Sequence, residues 1–213
     1  YCTDDGGGIY MDGGSTPTIT DALIHDNVTD LHAGGVGVYG MSHPVLTRVT
    51  IADNDVYDDG GGIEVNGAAI TLIDVVVSGN SAGDDGGGIY PYGSDIYMTR
   101  VQLLDNWTGE QGAAMYHRST GSAYLEDVLV QGNESATDCG GLYMEGSYAS
   151  LEGVVITDNV ASSGYGAGLR LSGAAFVEDL VVTGNSGASS GGGIFINTSS
   201  ATLANVLVAD NHA

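Results

Sequence analysis

One asparagine recurs through the whole chain at intervals of 26 or 27 residues. Apolar residues come three, five and eight positions before it in every copy, and a further apolar residue follows a glycine cluster, as at Ile9, Val38, Ile63 and Ile89. The recurring asparagines are Asn27, Asn54, Asn80, Asn106, Asn133, Asn159, Asn185 and Asn211. The chain is therefore eight copies of one unit of about 26 residues.

Each unit contains short stretches in which apolar residues alternate with polar ones, separated by Gly, Asn, Asp and Ser. This period of two predicts strands, and no stretch sustains a helical period. A unit of about 26 residues is too short for a propeller blade, which takes about 40–50. We predict an all-β chain folded as a parallel β-helix of eight coils, stacked about 4.8 Å apart.

Equivalent residues of successive units form columns in such a fold. We interpret the asparagine column as a structural ladder in an inward turn, because asparagine tolerates left-handed backbone angles and its amide can pair with the coils on either side. The glycine clusters allow a turn to take positive φ and to approach the core closely.

The charge is strongly one-sided, with 27 acidic and 4 basic side chains and a formal net charge of −23. Binding to nucleic acid or to an anionic membrane needs a surplus of basic residues, so both partners are excluded. No apolar run approaches the roughly 18 residues of a membrane span. The hydrophobic content of 42% is enough for a core.

Two acidic columns are candidate calcium sites. Stacked carboxylates repel one another unless a cation lies between them, and calcium takes six to eight oxygen ligands. The first column contains Asp58, Asp59, Asp84, Asp85 and Glu110. The second and weaker one contains Glu126, Glu152 and Glu178. The alternative is a hydrated acidic ridge, and calcium is the one cofactor that the sequence suggests.

A tyrosine row follows the apolar residue of the glycine cluster and should point outward, because side chains alternate along a strand. Exposed tyrosines of this kind would bind a glycan or another partner; the alternative is cross-strand packing that stabilises the sheet. The row is Tyr10, Tyr39, Tyr90, Tyr116 and Tyr143.

An apolar strip lies between two inward columns and should also face outward. A continuous exposed strip suggests a lateral interface, and cover by an adjacent loop or domain is the alternative. Its apolar members include Val76, Leu129, Val155, Val181 and Leu207. In the neighbouring column Asp21, Arg48, Asp74 and Arg100 alternate in charge, so we expect ion pairs between adjacent coils.

The repeat resembles the GGA[I/L]…FxxN repeats of polymorphic outer-membrane proteins and related bacterial surface proteins. The resemblance rests on segments such as Gly7-Gly8-Ile9-Tyr10, Gly87-Gly88-Ile89-Tyr90 and Gly140-Gly141-Leu142-Tyr143, each followed by an aliphatic-x-x-Asn. Ile, Val or Leu stands in place of the family's Phe in every copy. The resemblance implies a right-handed β-helix in a secreted or surface-displayed protein, often adhesive, and carries over no catalytic residues.

No catalytic constellation stands out: the histidines lack the spacing of a zinc site, and no long insertion interrupts the repeats. We expect a single domain over 1–213 with no evident caps, either a segment of a larger protein or a subunit of a fibre. Its partners would be other copies or flanking repeats, joined end to end, and cell-surface glycan. The expected function is a non-enzymatic, extracellular structural or adhesive rod. The alternative is a polysaccharide-binding or polysaccharide-cleaving β-helix, similar to pectate lyases or tailspikes.

Overall fold

The computed structural model describes residues 6–146, 148–197 and 200–213, and every regular element in these ranges is a β-strand. Eight coils stack with parallel pairing, and each contributes one strand to the first sheet. The strands of this sheet are Ile9–Met11, Val36–Tyr39, Ile63–Asn66, Ile89–Tyr92, Met115–His117, Leu142–Met144, Leu169–Leu171 and Ile194–Ile196. The predicted all-β solenoid of eight coils is confirmed.

Each coil crosses the second sheet in two consecutive segments, which merge into one strand in the last two coils, so the sheet has fourteen strands. The first segments are Thr18–Thr20, Val45–Thr47, Ala69–Ile73, Asp95–Thr99, Ser122–Glu126 and Tyr148–Glu152. The second segments are Leu23–His25, Thr50–Ala52, Val76–Ser78, Gln102–Leu104, Leu129–Gln131 and Val155–Thr157. In the last two coils the segments merge into Ala174–Thr183 and Ala201–Ala209.

The third sheet consists of six two-residue strands directly after the recurring asparagine. They are Val28–Thr29, Asp55–Val56, Ser81–Ala82, Trp107–Thr108, Glu134–Ser135 and Val160–Ala161. The inward columns of the first two sheets meet in one apolar core, in which Leu46, Leu72 and Leu151 are fully buried, whereas Ala161 of the third sheet belongs to a separate small cluster. Burial of one such side chain stabilises the fold by about 1.5–3 kcal/mol.

The asparagines form a continuous ladder along the core. The side-chain Nδ2 of every asparagine before Asn211 donates to Oδ1 of the asparagine in the next coil over 2.8–3.0 Å. The backbone N–H of Asn80 donates to Oδ1 of Asn106 as well, at 3.0 Å. Left-handed geometry falls on the residue before the asparagine, as at Asp53 (φ 53°) and Asp105 (φ 52°), and not on the asparagine as predicted.

The second coil is shifted by two residues from the alignment that the sequence suggested. Val36, and not Val38, pairs with Ile9 on one side and Ile63 on the other. Gly37 therefore occupies the position that we assigned to Tyr39 in the tyrosine row.

The alternating charges pair between coils as expected. Arg48 binds Asp21 through two nitrogens at 2.7 and 2.8 Å, and Arg100 binds Asp74 at 2.6 and 3.0 Å. All four side chains are exposed, so these pairs contribute little to stability.

Candidate functional site

The predicted tyrosine row is not an exposed surface. Tyr90, Tyr116 and Tyr143 are each only 4% exposed and pack with Cys139 in a second, smaller core outside the main one. Tyr116 and Tyr143 stack with centroids 4.5 Å apart, whereas Tyr10, at the first coil, remains half exposed. The prediction that this row forms an outward glycan-binding surface is wrong for these three tyrosines, and cross-strand packing describes them.

A turn residue with positive φ lies four positions before each of these tyrosines, at Gly86, Gly112 and Cys139. Gly86 has φ +64° and Gly112 has φ +64°, and a Cβ on either would lie within 2.8 Å of the Cβ of Tyr90 or Tyr116, respectively. Positive φ therefore folds the turn back onto the side chain four residues later. The alternation of inward and outward side chains along a strand correctly predicts that the tyrosines point away from the main core. It does not predict that a turn then buries them.

The first acidic column lies in the same turn, where its carboxylates accept backbone hydrogen bonds. Oδ1 of Asp59 accepts from the N–H of Asp85 at 3.0 Å, and Oδ1 of Asp85 accepts from the N–H of Gln111 at 3.1 Å. Burial raises the pKa of Asp59 to about 6 and that of Asp85 to about 7. Burial also raises the pKa of Asp58, and a hydrogen bond with Asp84 adds to the effect.

Glu64 replaces tyrosine in this row and is 1% exposed. Its Oε2 accepts a 2.8 Å hydrogen bond from the hydroxyl of Tyr39 and lies 3.4 Å from Nδ1 of His32. Burial raises the pKa of Glu64 to about 7, although His32 and Tyr39 act in the opposite direction. The raised pKa values of Asp59 and Asp85 in the first acidic column likewise favour their protonated forms, and protonation reduces the carboxylate repulsion that we expected calcium to relieve.

No group of three or more His, Cys, Asp or Glu side chains is positioned to hold a metal ion within 6–146, 148–197 and 200–213. Asp84 and Glu110 are exposed on the acidic turn, beside the more buried Asp85. The second column is aligned as expected, because Glu126 pairs with Glu152, and Glu152 with Glu178. Calcium binding at either column stays a prediction.

A different set of aromatic side chains is exposed, on the outer face of the second sheet. Tyr97 pairs with Tyr124 in the next coil, and each lies immediately before an inward-facing residue. Their exposed fractions are 37% and 41%. Tyr148 and Phe176 extend this aromatic surface and are similarly exposed.

The rings of Tyr97 and Tyr124 are parallel, with centroids 5.1 Å apart and an interplanar angle of 1°. His43 stacks on the other side of Tyr97 at 6.1 Å, and Tyr148 tilts against Tyr124, also at 6.1 Å. The two tyrosines are therefore held in fixed orientations while a large part of their surface remains in solvent.

A groove of about 400 Å³ runs beside these rings. We call it the tyrosine–glutamate groove. The side chains that define it are Tyr97, Thr99, Tyr124, Glu126, Ser150 and Glu152. Its two glutamates belong to the second acidic column, so one surface combines aromatic and carboxylate groups.

Sequence reasoning identified the glutamates of this groove but missed its tyrosines. The available signal was the residue before the inward-facing Met98 and Leu125, since outward residues flank an inward one on both sides. The tyrosines occupy this position in only two consecutive coils, and Thr71 and Ser150 occupy it in the flanking ones. A search for eight-fold columns therefore passes over them.

The apolar strip lies on the outer face as expected. Val76, Leu129, Val155 and Val181 are partly buried by their neighbours, and Leu207 is 54% exposed. Gln102 interrupts the strip between Val76 and Leu129. Its role as a lateral interface stays a prediction.

A family model described as a right-handed β-helix region matches residues 7–213. The match agrees with the predicted right-handed solenoid, and the narrower likeness to polymorphic outer-membrane proteins stays a resemblance. Neither the curated proteins nor the solved structures that were compared contain a match to the chain. Within the described residues, no helix is long and apolar enough to cross a membrane.

Proposed function

We propose that this chain, which belongs to the right-handed β-helix family, is a non-enzymatic extracellular rod that adheres to polysaccharide along the tyrosine–glutamate groove. The family includes proteins of different activities, so the groove and not the fold supports the proposal. The sequence also led us to expect an adhesive rod. The proposed binding surface now lies on the second sheet instead of on the tyrosine row of the first.

The observation that carries the proposal is the exposed, parallel pair of Tyr97 and Tyr124. Aromatic side chains provide large apolar surface at low entropic cost, and stacking between coils holds these two in place before a ligand arrives. Thr99, Ser150 and the glutamates supply hydrogen-bonding groups beside them. A sugar chain, which has both apolar and hydroxyl surface, suits this combination.

The absence of an enzymatic activity is part of the proposal. Among the described residues, Glu64 and Asp85 are the carboxyl groups whose pKa is raised to about 7, and both are buried. Such groups suit general acid catalysis only where a substrate can reach them. Glu126 and Glu152, which do line the groove, are exposed to solvent.

Retention on insoluble polysaccharides tests this proposal. We expect a panel of neutral, amino-bearing and uronic-acid polymers to include at least one that retains the protein. The double substitution Tyr97→Ala and Tyr124→Ala should abolish retention, because it removes the aromatic wall of the groove. Circular dichroism verifies that the variant keeps its β-structure.

Tyr57→Ala is the matched control, since Tyr57 is 80% exposed but lies on the acidic turn side of the rod. Its retention should equal that of the unmodified protein. Equal retention of the double variant, or no retention on any polymer of the panel, would overturn the proposal. Release of shortened sugars during the incubation would refute its non-enzymatic part.

A further inference from the structure

We propose that the tyrosine–glutamate groove selects polysaccharides that carry free amino groups, such as polymers of glucosamine. This inference rests on the proposed function and specifies its ligand. It follows from the arrangement of charge and aromatic surface along the axis of the rod.

The carboxylates of the groove are in line along the rod. Glu126 and Glu152 are direct partners in adjacent coils, and Glu178 continues the column in the next one. Adjacent strands lie about 4.8 Å apart, so these like charges repel at short range. A linear polymer with one positive charge on each sugar can approach several members of the column at once.

The tyrosines lie in the neighbouring column of the same face. Tyr124 is two residues before Glu126 in one strand, so both side chains point to the same side of the sheet. A sugar in the groove therefore contacts an apolar wall on one side and carboxylates on the other. This division matches an amino sugar, which has apolar C–H surface and a charged amine at its edge.

Few basic groups lie near the groove: Arg100 attracts Glu126 electrostatically, and His43 stacks on Tyr97. The side chains that line the groove include two glutamates and no Arg, Lys or His. Arg100 donates both of its side-chain hydrogen bonds to Asp74, so Glu126 and Glu152 form no hydrogen-bonded ion pair with it. With a net charge of −23, the whole rod attracts polycations and repels uronic-acid polymers.

Titration calorimetry with soluble oligomers tests the inference. Fully deacetylated glucosamine oligomers should bind at least about tenfold more tightly than N-acetylated oligomers of the same length, because only the former carry charge. The double substitution Glu126→Gln and Glu152→Gln should remove most of this preference, and Glu134→Gln, an exposed glutamate of the third sheet, should leave it unchanged. Raised salt should weaken the amine-dependent part.

Equal affinity for the two oligomers, or an unchanged preference in the Glu126→Gln and Glu152→Gln variant, would overturn the inference and leave the proposed function intact. Binding of both oligomers that is insensitive to Tyr97→Ala and Tyr124→Ala would instead refute the proposed function. A titration with calcium chloride alone adds a further criterion. Saturable calcium binding that is lost in the Glu126→Gln and Glu152→Gln variant would assign the column to a metal and overturn the inference.

Discussion

The burial of Glu64 should make its contribution to the free energy of unfolding decrease as the pH rises. The carboxyl is 1% exposed, and burial raises its pKa from an ordinary 4.5 to about 7. The folded chain therefore holds a proton that the unfolded chain releases between these values. The stability that Glu64 contributes is fully present below the unfolded pKa and is lost as the pH rises through about 7.

The substitution Glu64→Gln isolates this effect. Glutamine keeps the acceptor for the hydroxyl of Tyr39 but cannot ionise. A pKa raised from 4.5 to about 7 corresponds to at most about 3 kcal/mol at pH values above the window. The variant should therefore be more stable than the unmodified protein at about pH 8, by up to this amount, and should match it near about pH 4.

Urea denaturation across this pH range measures the difference. Glu134→Gln removes one charge from an exposed position and controls for the change in net charge. The reasoning is refuted if Glu64→Gln and Glu134→Gln have the same stability at about pH 8. A stability difference between Glu64→Gln and the unmodified protein that does not grow between about pH 5 and 8 would contradict it equally.

Three further predictions concern the ladder, the ion pairs and the covered tyrosines. Asn106→Ala should lower the free energy of unfolding by about 2–4 kcal/mol in urea titrations, because it interrupts the ladder and leaves buried partners unpaired; an effect no larger than that of a surface substitution would count against it. Arg170→Ala should cost about 1–3 kcal/mol, since the side chain is 15% exposed and its guanidinium pairs with Asp138 and lies 4.2 Å from the ring centroid of Tyr143. Arg48→Ala, in an exposed pair, should have no measurable effect in the same assay. Because burial raises the pKa of Tyr116 and Tyr143, their phenols should ionise in an ultraviolet titration only when alkali unfolds the chain; ionisation with the fold intact would show that the second core is open.

The repeat contained most of the information about the fold. The regular interval between asparagines determines the number of coils. It also determines that neighbouring strands are parallel, because equivalent positions must align from one coil to the next. The departure in the second coil has a local cause. The ring of Tyr39 comes within 2.7 Å of where a Cβ of Gly37 would lie, so it fills the space of the missing side chain.

The site was harder to predict because exposure depends on cover from outside the main core. Tyr90 and Tyr124 both point away from that core, yet one is 4% and the other 41% exposed. The difference lies in the backbone of the turn at Gly86, which folds over Tyr90. The alternation of inward and outward residues along a strand predicts the direction in which a side chain points. It contains no information on whether a turn such as the one at Gly86 then covers that side chain.

Hydroxyl-radical footprinting with and without a soluble glucosamine oligomer is the most direct test of the account. This method measures the solvent exposure of individual aromatic side chains on the intact rod. We predict protection of Tyr97 and Tyr124 by the oligomer and no change at Tyr57. Binding that protects Tyr57 and leaves Tyr97 and Tyr124 unprotected would contradict the assignment of the tyrosine–glutamate groove.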